Sequence, residues 1–356
     1  MRKLLIIDKD QFGYHISPYK YALYLSRKFD VTYVCWDEKR DKNPHGNVNV
    51  IYLQKKGNIL NRFLILIRNL NDEIKASNFD CIFLVYFFGC SLLKIFNSRE
   101  KFILDIKTVS VTSTPFINWV KDGLLKIESS FFKNITVLNY RTGKKLRLKS
   151  FHILPLGSEI FAENFYDTGY FDYLYVGTLS NRNIMDVVHG FKIFIESLKR
   201  NNNHSMLPRL ILLGVGYGNE LESIRQYAFE NQLEEKILAP GFVPYDRLHS
   251  YFQISKVGIS YVPITDQYTD QPPTKTYEYL LSGLPVIGTA TNANKELICS
   301  GNGILIEDNS KDISIAMEKV FSNYLAFDRK KIQENSRHFS WETIIYENLL
   351  PYLNSL

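Results

Sequence analysis

Residues 270–290 read DQPPTKTYEYLLSGLPVIGTA. Pro272 and Pro273 fix an extended approach to a helix that opens at Thr274 or a neighbour, because proline sacrifices no needed N–H at a helix start. The helix stops at Ser282-Gly283, and LPVIGT follows as an apolar strand. Backbone donors in the first turn of such a helix lack intrahelical acceptors and attract an anion. Lys275 and Glu278 lie three apart and share a face. A lysine beside phosphate oxygens, with a carboxylate one turn on to accept from ribose hydroxyls, is what a nucleoside diphosphate requires. An i,i+3 surface ion pair would show the same spacing; the flanking prolines, the Gly283 stop and the next strand favour the ligand.

Outward from this stretch the chain alternates strands and helices in two series. KLLIID, DVTYVCW, NVNVIYL, CIFLVYF, KFILDI and NITVLN read as strands of the first, with helices over PYKYALYLSRKF and NRFLILIRNLNDEIKAS. YLYVGTL, RLILLGV, KILAP, KVGISYV, LPVIGT and GILIE read as strands of the second, separated by helical segments such as IMDVVHGFKIFIESLKR. Nearly continuous apolar strands alternating with helices predict parallel sheets covered on both faces. The rhythm breaks around HILPLGSEIFAENFYDTGYFD. The fold class is therefore α/β, with two doubly wound Rossmann-like domains facing across a cleft: residues 1–155, residues 156–338, and a last helix over 339–356 that packs back toward the first domain.

Charge is divided unevenly between the halves. Residues 1–150 hold 26 Lys/Arg against 13 Asp/Glu and the remainder 17 against 24, within a net charge of +6. A basic first half suggests an anionic partner, either a membrane surface, a phosphorylated substrate or nucleic acid, and a peripheral contact with an anionic membrane is the one expected. The segments NWVKDGLLKIESSFFK and NYRTGKKLRLK mix basic with apolar and aromatic residues; they suit an anionic membrane, RNA or an ordinary covering helix. No apolar run approaches the roughly 20 residues of a spanning helix, and MRKLLIIDKD reads as a first strand rather than a leader. The expected location is cytoplasmic and peripheral to the inner membrane face. Cys35, Cys81, Cys90 and Cys299 lack metal-ligand spacing and are expected as reduced thiols; the seven histidines are scattered, so no metal is expected.

TKTYEYLLSGLPVIGTATNANKELI, LYVGTLSNRN and LILLGVGYGNELESIR together resemble the C-terminal domain of the GT-B glycosyltransferases, especially the retaining family numbered four. The resemblance implies a nucleotide-sugar donor and no cofactor. It implies that Glu278 binds the ribose and that Asp270, separated from it by seven residues and replacing the family's usual Glu, faces the donor sugar. Lys275 resembles the phosphate-binding lysine of some bacterial polysaccharide enzymes of this fold. In VGTLSNRN, Thr178 stands where similar enzymes have Arg, and Arg182 fits their second basic position. Phe242 and Val243, after Gly241, resemble the segment flanking the nucleobase, and Pro273 and Thr274 complete the donor set.

In the first domain, Asp105 ends FILD and is a candidate base toward an acceptor hydroxyl or a turn cap. Gly13 and His15, in the first strand-to-helix loop, are possible acceptor contacts, His15 equally a plain loop histidine. The expected activity moves a sugar from a nucleoside diphosphate to an oligosaccharide or lipid-linked acceptor in bacterial capsule, lipopolysaccharide or exopolysaccharide assembly, with no nucleic-acid partner. A sugar-nucleotide epimerase of the same fold, or a non-catalytic subunit, are the alternatives. Nicotinamide chemistry is disfavoured because DKDQFGYHIS lacks the glycine fingerprint.

Overall fold

The computed structural model describes residues 1–109, 115–200 and 206–356. They form two compact units, residues 1–157 with 341–356, and residues 158–340. The first contains β1 (Arg2–Ile7), α1 (Ile16–Leu25), β2 (Phe29–Asp37), β3 (Asn49–Gln54), α2 (Ile59–Ala76), β4 (Cys81–Val85), α3 (Ser91–Phe96), β5 (Phe102–Ile106), α4 (Pro115–Ser129), β6 (Asn134–Val137), α5 (Tyr140–Lys145) and β7 (His152–Ile153). Its strands are parallel, in the order β3-β2-β1-β4-β5-β6-β7.

Alternation along the central strands builds two separate cores. Leu5, Ile7, Ile82, Leu84 and Leu104 point to one face, against α2 and α4 residues such as Leu70 and Leu125. Leu4, Ile6, Cys81, Phe83 and Ile103 point to the other, against Tyr21 and Leu25 of α1. This second face is closed by the C-terminal helical stretch, where Trp341, Ile344, Ile345, Leu349 and Leu353 are buried. That stretch widens into a π-turn over Ile344–Leu349, which the sequence pattern does not disclose.

The second unit contains β8 (Tyr170–Val176), α6 (Ile184–Arg200), β9 (Leu207–Leu213), α7 (Glu220–Glu230), β10 (Ile237–Gly241), α8 (Leu248–Ile254), β11 (Val257–Ser260), α9 (Thr274–Leu281), β12 (Val286–Thr289), α10 (Asn292–Leu297), β13 (Gly303–Ile306), α11 (Ser310–Ser322) and α12 (Arg329–Ser336). The parallel order is β10-β9-β8-β11-β12-β13. Tyr173, Tyr175, Leu210, Leu212 and Ile259 face α6 and α11, while Leu174, Ile211 and Val286 face α8 and α9. Asp172 is fully buried and takes two bonds from its cross-strand neighbour Arg209, at 2.7 and 2.8 Å, so the charge is neutralised in place.

The two doubly wound sheets match the fold class expected from the sequence. The short helices α3, α10 and α12 were not expected, being only six to eight residues long. The segment KVGISYV leaves the sheet after Ser260, earlier than its apolar run predicts. Among the described residues no helix is long and apolar enough to cross a membrane, and the four cysteines are free.

Candidate functional site

In the second sheet the chain leaves β8 toward β9 on one side and returns to β11 on the other, so the strand order reverses between β8 and β11. Loops beyond the carboxyl ends of two such strands diverge and leave a crevice, the usual ligand site of an open α/β sheet. A hollow of about 300 Å³ lies there, bounded by Gly177, Thr178 and Arg182 after β8 and by Tyr268, Pro272, Pro273, Thr274 and Lys275 between β11 and α9.

Helix α9 opens as the sequence predicts. Pro273 is its N-cap, with φ −73° and ψ 120°, and no side chain caps the first turn. Its leading N–H groups therefore remain open to a ligand. The helix is held by its inward face: Thr276, fully buried, bonds to Ser260 Oγ at 2.7 Å and donates to Asn294 Oδ1 at 2.9 Å. The Tyr279 hydroxyl accepts from the Val176 N–H at 2.9 Å. These contacts tie the start of α9 to both strands that flank the crevice.

Lys275 is 8% exposed, with Nζ 3.8 Å from the Tyr175 ring centroid. A Cβ at Gly177 would lie 3.0 Å from that nitrogen, so the left-handed glycine leaves room for the lysine. Among the described residues no acceptor bonds or pairs with Nζ. Burial, and then Arg182, push the ammonium down to about 7, with Glu278 opposing. Arg182 stands between Asn181 and Asn183, whose φ values of 57° and 50° are left-handed. Asparagine tolerates that region better than most residues, and the turn sets the guanidinium 4.3 Å from the Tyr268 ring centroid. Its Nη1 donates to the Asn181 carbonyl at 3.1 Å. Two cations thus meet at one crevice, without a carboxylate partner for either among the described residues.

Glu278 is half-buried one turn on. It makes no ion pair with Lys275, so the pair predicted from spacing is not a surface salt bridge. Burial raises its carboxyl to about 7, Lys275 offsetting and Glu159 adding to the rise. Asp270 is exposed and accepts from Asn292 Nδ2 at 2.9 Å, on the first residue of α10. Thr178 lines the crevice, its carbonyl accepting from the Tyr175 hydroxyl at 2.7 Å. Phe242, 70% exposed, and Val243, half-buried, follow Gly241 at the end of β10. The glycine turn after β9 is a close approach, since a Cβ on Gly214 would lie 1.8 Å from the Gly177 carbonyl oxygen.

The remaining candidates belong to the first unit. Asp105 is 1% exposed on β5; it accepts from Thr136 Oγ1 at 2.7 Å and pairs with Lys107 Nζ at 2.9 Å. Lys107 also donates to the Tyr21 hydroxyl at 2.7 Å. Burial opposes its charge, but Asp105 and Tyr21 outweigh that and hold the ammonium above its ordinary range. Gly13 has φ +93°, and a Cβ there would strike Asn43. His15 Nδ1 bonds Asp8 Oδ2 at 2.7 Å. Asp8, Asp10 and His15 have ligand-type atoms within 4.8 Å of one another, a grouping of carboxylates and imidazole that the sequence analysis did not single out. His204 lies outside the described residues. Sequence reasoning also missed Tyr175 and Tyr268, the aromatic shelves under the two cations; as members of apolar or loop segments they carry no distinguishing spacing.

Comparison with known proteins follows the same lines. The family profile described as "Glycosyl transferases group 1" matches residues 158–339. No curated protein matches by sequence. Among solved structures the chain is similar to sucrose-phosphate synthase from Thermosynechococcus elongatus, with TM-score 0.73, 14% identity, and 100% of this chain and 99% of that one covered. It is similar to Anabaena HepE in complex with UDP and glucose, with TM-score 0.72, 14% identity and 100% of both chains covered. It is also similar to the lipopolysaccharide outer core galactosyltransferase WaaB, with TM-score 0.71, 13% identity, and 100% and 99% covered.

Proposed function

Because the chain belongs to the group 1 glycosyltransferases, a retaining family of the GT-B fold, we propose that it takes a hexose from a nucleoside diphosphate held at the start of α9 and passes it to an oligosaccharide or lipid-linked acceptor. The observation that carries this reading is the convergence of Lys275 and Arg182 on an uncapped helix start. Three sources of positive potential, opposed by Glu278 one turn away but in no ion pair with a carboxylate among the described residues, favour a diphosphate, and they favour it more as the sugar leaves and charge collects on the departing oxygen. Glu278, half-buried and one turn away, accepts from the ribose hydroxyls. Asp270 orients the donor sugar, and Phe242 and Val243 flank the base. HepE, similar in fold, is solved with UDP-glucose, which supports UDP as the nucleotide to try first.

The acceptor end of the reaction takes place at an anionic membrane, as in surface polysaccharide assembly. On α4, Phe116 and Trp119 stack with centroids 6.1 Å apart and are 70% and 74% exposed; Ile127 is 61% exposed. Ile59, Leu60 and Leu64 stand out from α2. Apolar side chains on this scale, interspersed with Arg62, Lys121 and Lys126, suit insertion among acidic lipid headgroups.

Calorimetric titration with UDP tests the donor site. Lys275→Ala and Glu278→Gln should each weaken binding by about 1 to 3 kcal/mol, the worth of a charge-assisted bond. Unchanged affinity in both variants contradicts the assignment.

A further inference from the structure

Lys107 and Lys275 each lie over a tyrosine ring, with Nζ 4.7 and 3.8 Å from the centroid, but they are held differently. Lys107 pairs with Asp105 at 2.9 Å and donates to the Tyr21 hydroxyl at 2.7 Å, and these partners keep its ammonium above the ordinary range. Lys275 has no acceptor at Nζ among the described residues. The groups that face it are Tyr175 from β8, Arg182 from the loop after β8 and Glu278 from α9 itself. Burial and Arg182 prevail over Glu278, so the amine titrates at about 7. An ammonium has no lone pair to share, whereas a neutral amine is a nucleophile. Burial also lowers Lys94, but its Nζ donates to the Ser98 and Glu100 carbonyls at 2.6 and 2.8 Å. Lys275 opens instead on the hollow between β8 and α9, where Arg182 and the uncapped helix start can hold a phosphate beside it.

From this arrangement, and resting on the reading of the crevice as the diphosphate site, we propose that Lys275 is acylated by small acyl phosphates, such as acetyl phosphate, and that the modification shuts the donor site. The phosphate lies on Arg182 and the first-turn N–H groups of α9, which brings the acyl carbon to Nζ. The neutral amine attacks that carbon. The N–C bond forms, the C–O bond to phosphorus breaks, the electron pair leaves with inorganic phosphate, and the nitrogen gives up one proton to water. Arg182 and the helix start stabilise the departing phosphate as they would a departing diphosphate. The resulting amide is uncharged, so a nucleoside diphosphate loses one of its counter-charges. Donor and acyl phosphate compete for the same groups, and the site is protected when donor is abundant. A nucleotide thioester does not meet these conditions, because its reacting carbonyl carries no phosphate to be held beside the amine.

The test is incubation of the full-length protein with acetyl phosphate across a range of pH, followed by proteolysis and mass spectrometry of every lysine, with calorimetric titration of UDP on the same preparation. At pH 7 Lys275 should be acetylated at least about tenfold faster than Lys107 or the exposed lysines, since it holds about a thousandfold more free amine than an ordinary lysine. Its rate should level off above about pH 8, where the amine is already neutral, while the exposed lysines go on rising by about tenfold per pH unit. Saturating UDP should slow Lys275 by about tenfold and leave the other lysines unchanged, and the acetylated protein should bind UDP about tenfold more weakly. Uniform acetylation of all lysines, or no protection although UDP binds, overturns the inference alone. Acetyl-coenzyme A that labels Lys275 as selectively as acetyl phosphate also overturns it, because the selectivity then lies in the amine and not in the bound phosphate. Failure of UDP to bind overturns the glycosyltransferase reading and this inference with it.

Discussion

Raising the pH above 7 should weaken nucleoside diphosphate binding, and Lys275 sets by how much. In the free protein burial and Arg182 hold its ammonium at about 7. A bound diphosphate restores the missing counter-charge and returns the group toward the ordinary lysine range. A group whose pKa is higher in the complex takes up a proton on binding. Affinity is therefore full below the free-state pKa and falls about tenfold per pH unit above it, until the pKa of the complex is reached. From pH 7 to pH 9 the protonated fraction drops from about one half to about one hundredth, a loss of about fiftyfold or about 2.3 kcal/mol. Glu278, raised to about 7 chiefly by burial, works the other way, but its ionised fraction only rises from about one half to one, a gain of about twofold. Arg182 stays charged throughout. Calorimetry with UDP should accordingly show about 25-fold weaker binding at pH 9 than at pH 7. Lys275→Met should bind weakly at both pH values, without the drop. A flat wild-type profile would refute the claim that a depressed lysine is the diphosphate's counter-charge.

Trp341→Ala should destabilise the first unit by about 3 to 5 kcal/mol, because the indole is 2% exposed, fills the space above Gly157 and meets Tyr21 edge-on; denaturant unfolding measures it, and a change under about 1 kcal/mol would show that the C-terminal stretch is dispensable. Co-sedimentation with vesicles should require anionic lipid, weaken with added salt, and fall in Trp119→Ala; equal binding to neutral vesicles contradicts the membrane proposal.

The parts of this molecule legible from sequence are those where one residue type has one structural use. Pro272-Pro273 before Thr274 and Gly283 after Ser282 mark the two ends of α9, and the structure places that helix start at the crevice. Nearly continuous apolar runs identify the strands of both sheets because burial on two faces demands them, except the two-residue β7, which falls where the sequence rhythm breaks. The site's remaining members depend on what lies across the fold. Tyr175 looks like any strand tyrosine until Lys275 is seen above its ring. Tyr268 acquires a role only beneath Arg182, and the Asn181-Arg182-Asn183 turn only from its left-handed backbone. Asp105, at a strand end, looks available in the sequence; in the fold it is buried against Lys107 and Thr136. Asp8 and His15 are seven apart in an irregular loop, a spacing no periodicity marks, and their 2.7 Å bond is visible only in the fold.

The central claim is that the second unit holds a nucleotide sugar whose diphosphate leaves toward Lys275 and Arg182. Proton NMR of the enzyme with a panel of UDP-hexoses tests it most directly. The account predicts that one donor is consumed, that UDP accumulates, that the sugar is released or transferred first as the anomer present in the donor, and that Lys275→Ala abolishes the reaction. It is contradicted if every donor stays intact, if a donor is returned as its epimer with no UDP formed, or if the product anomer is inverted with activity lost in Asp105→Asn and kept in Asp270→Asn.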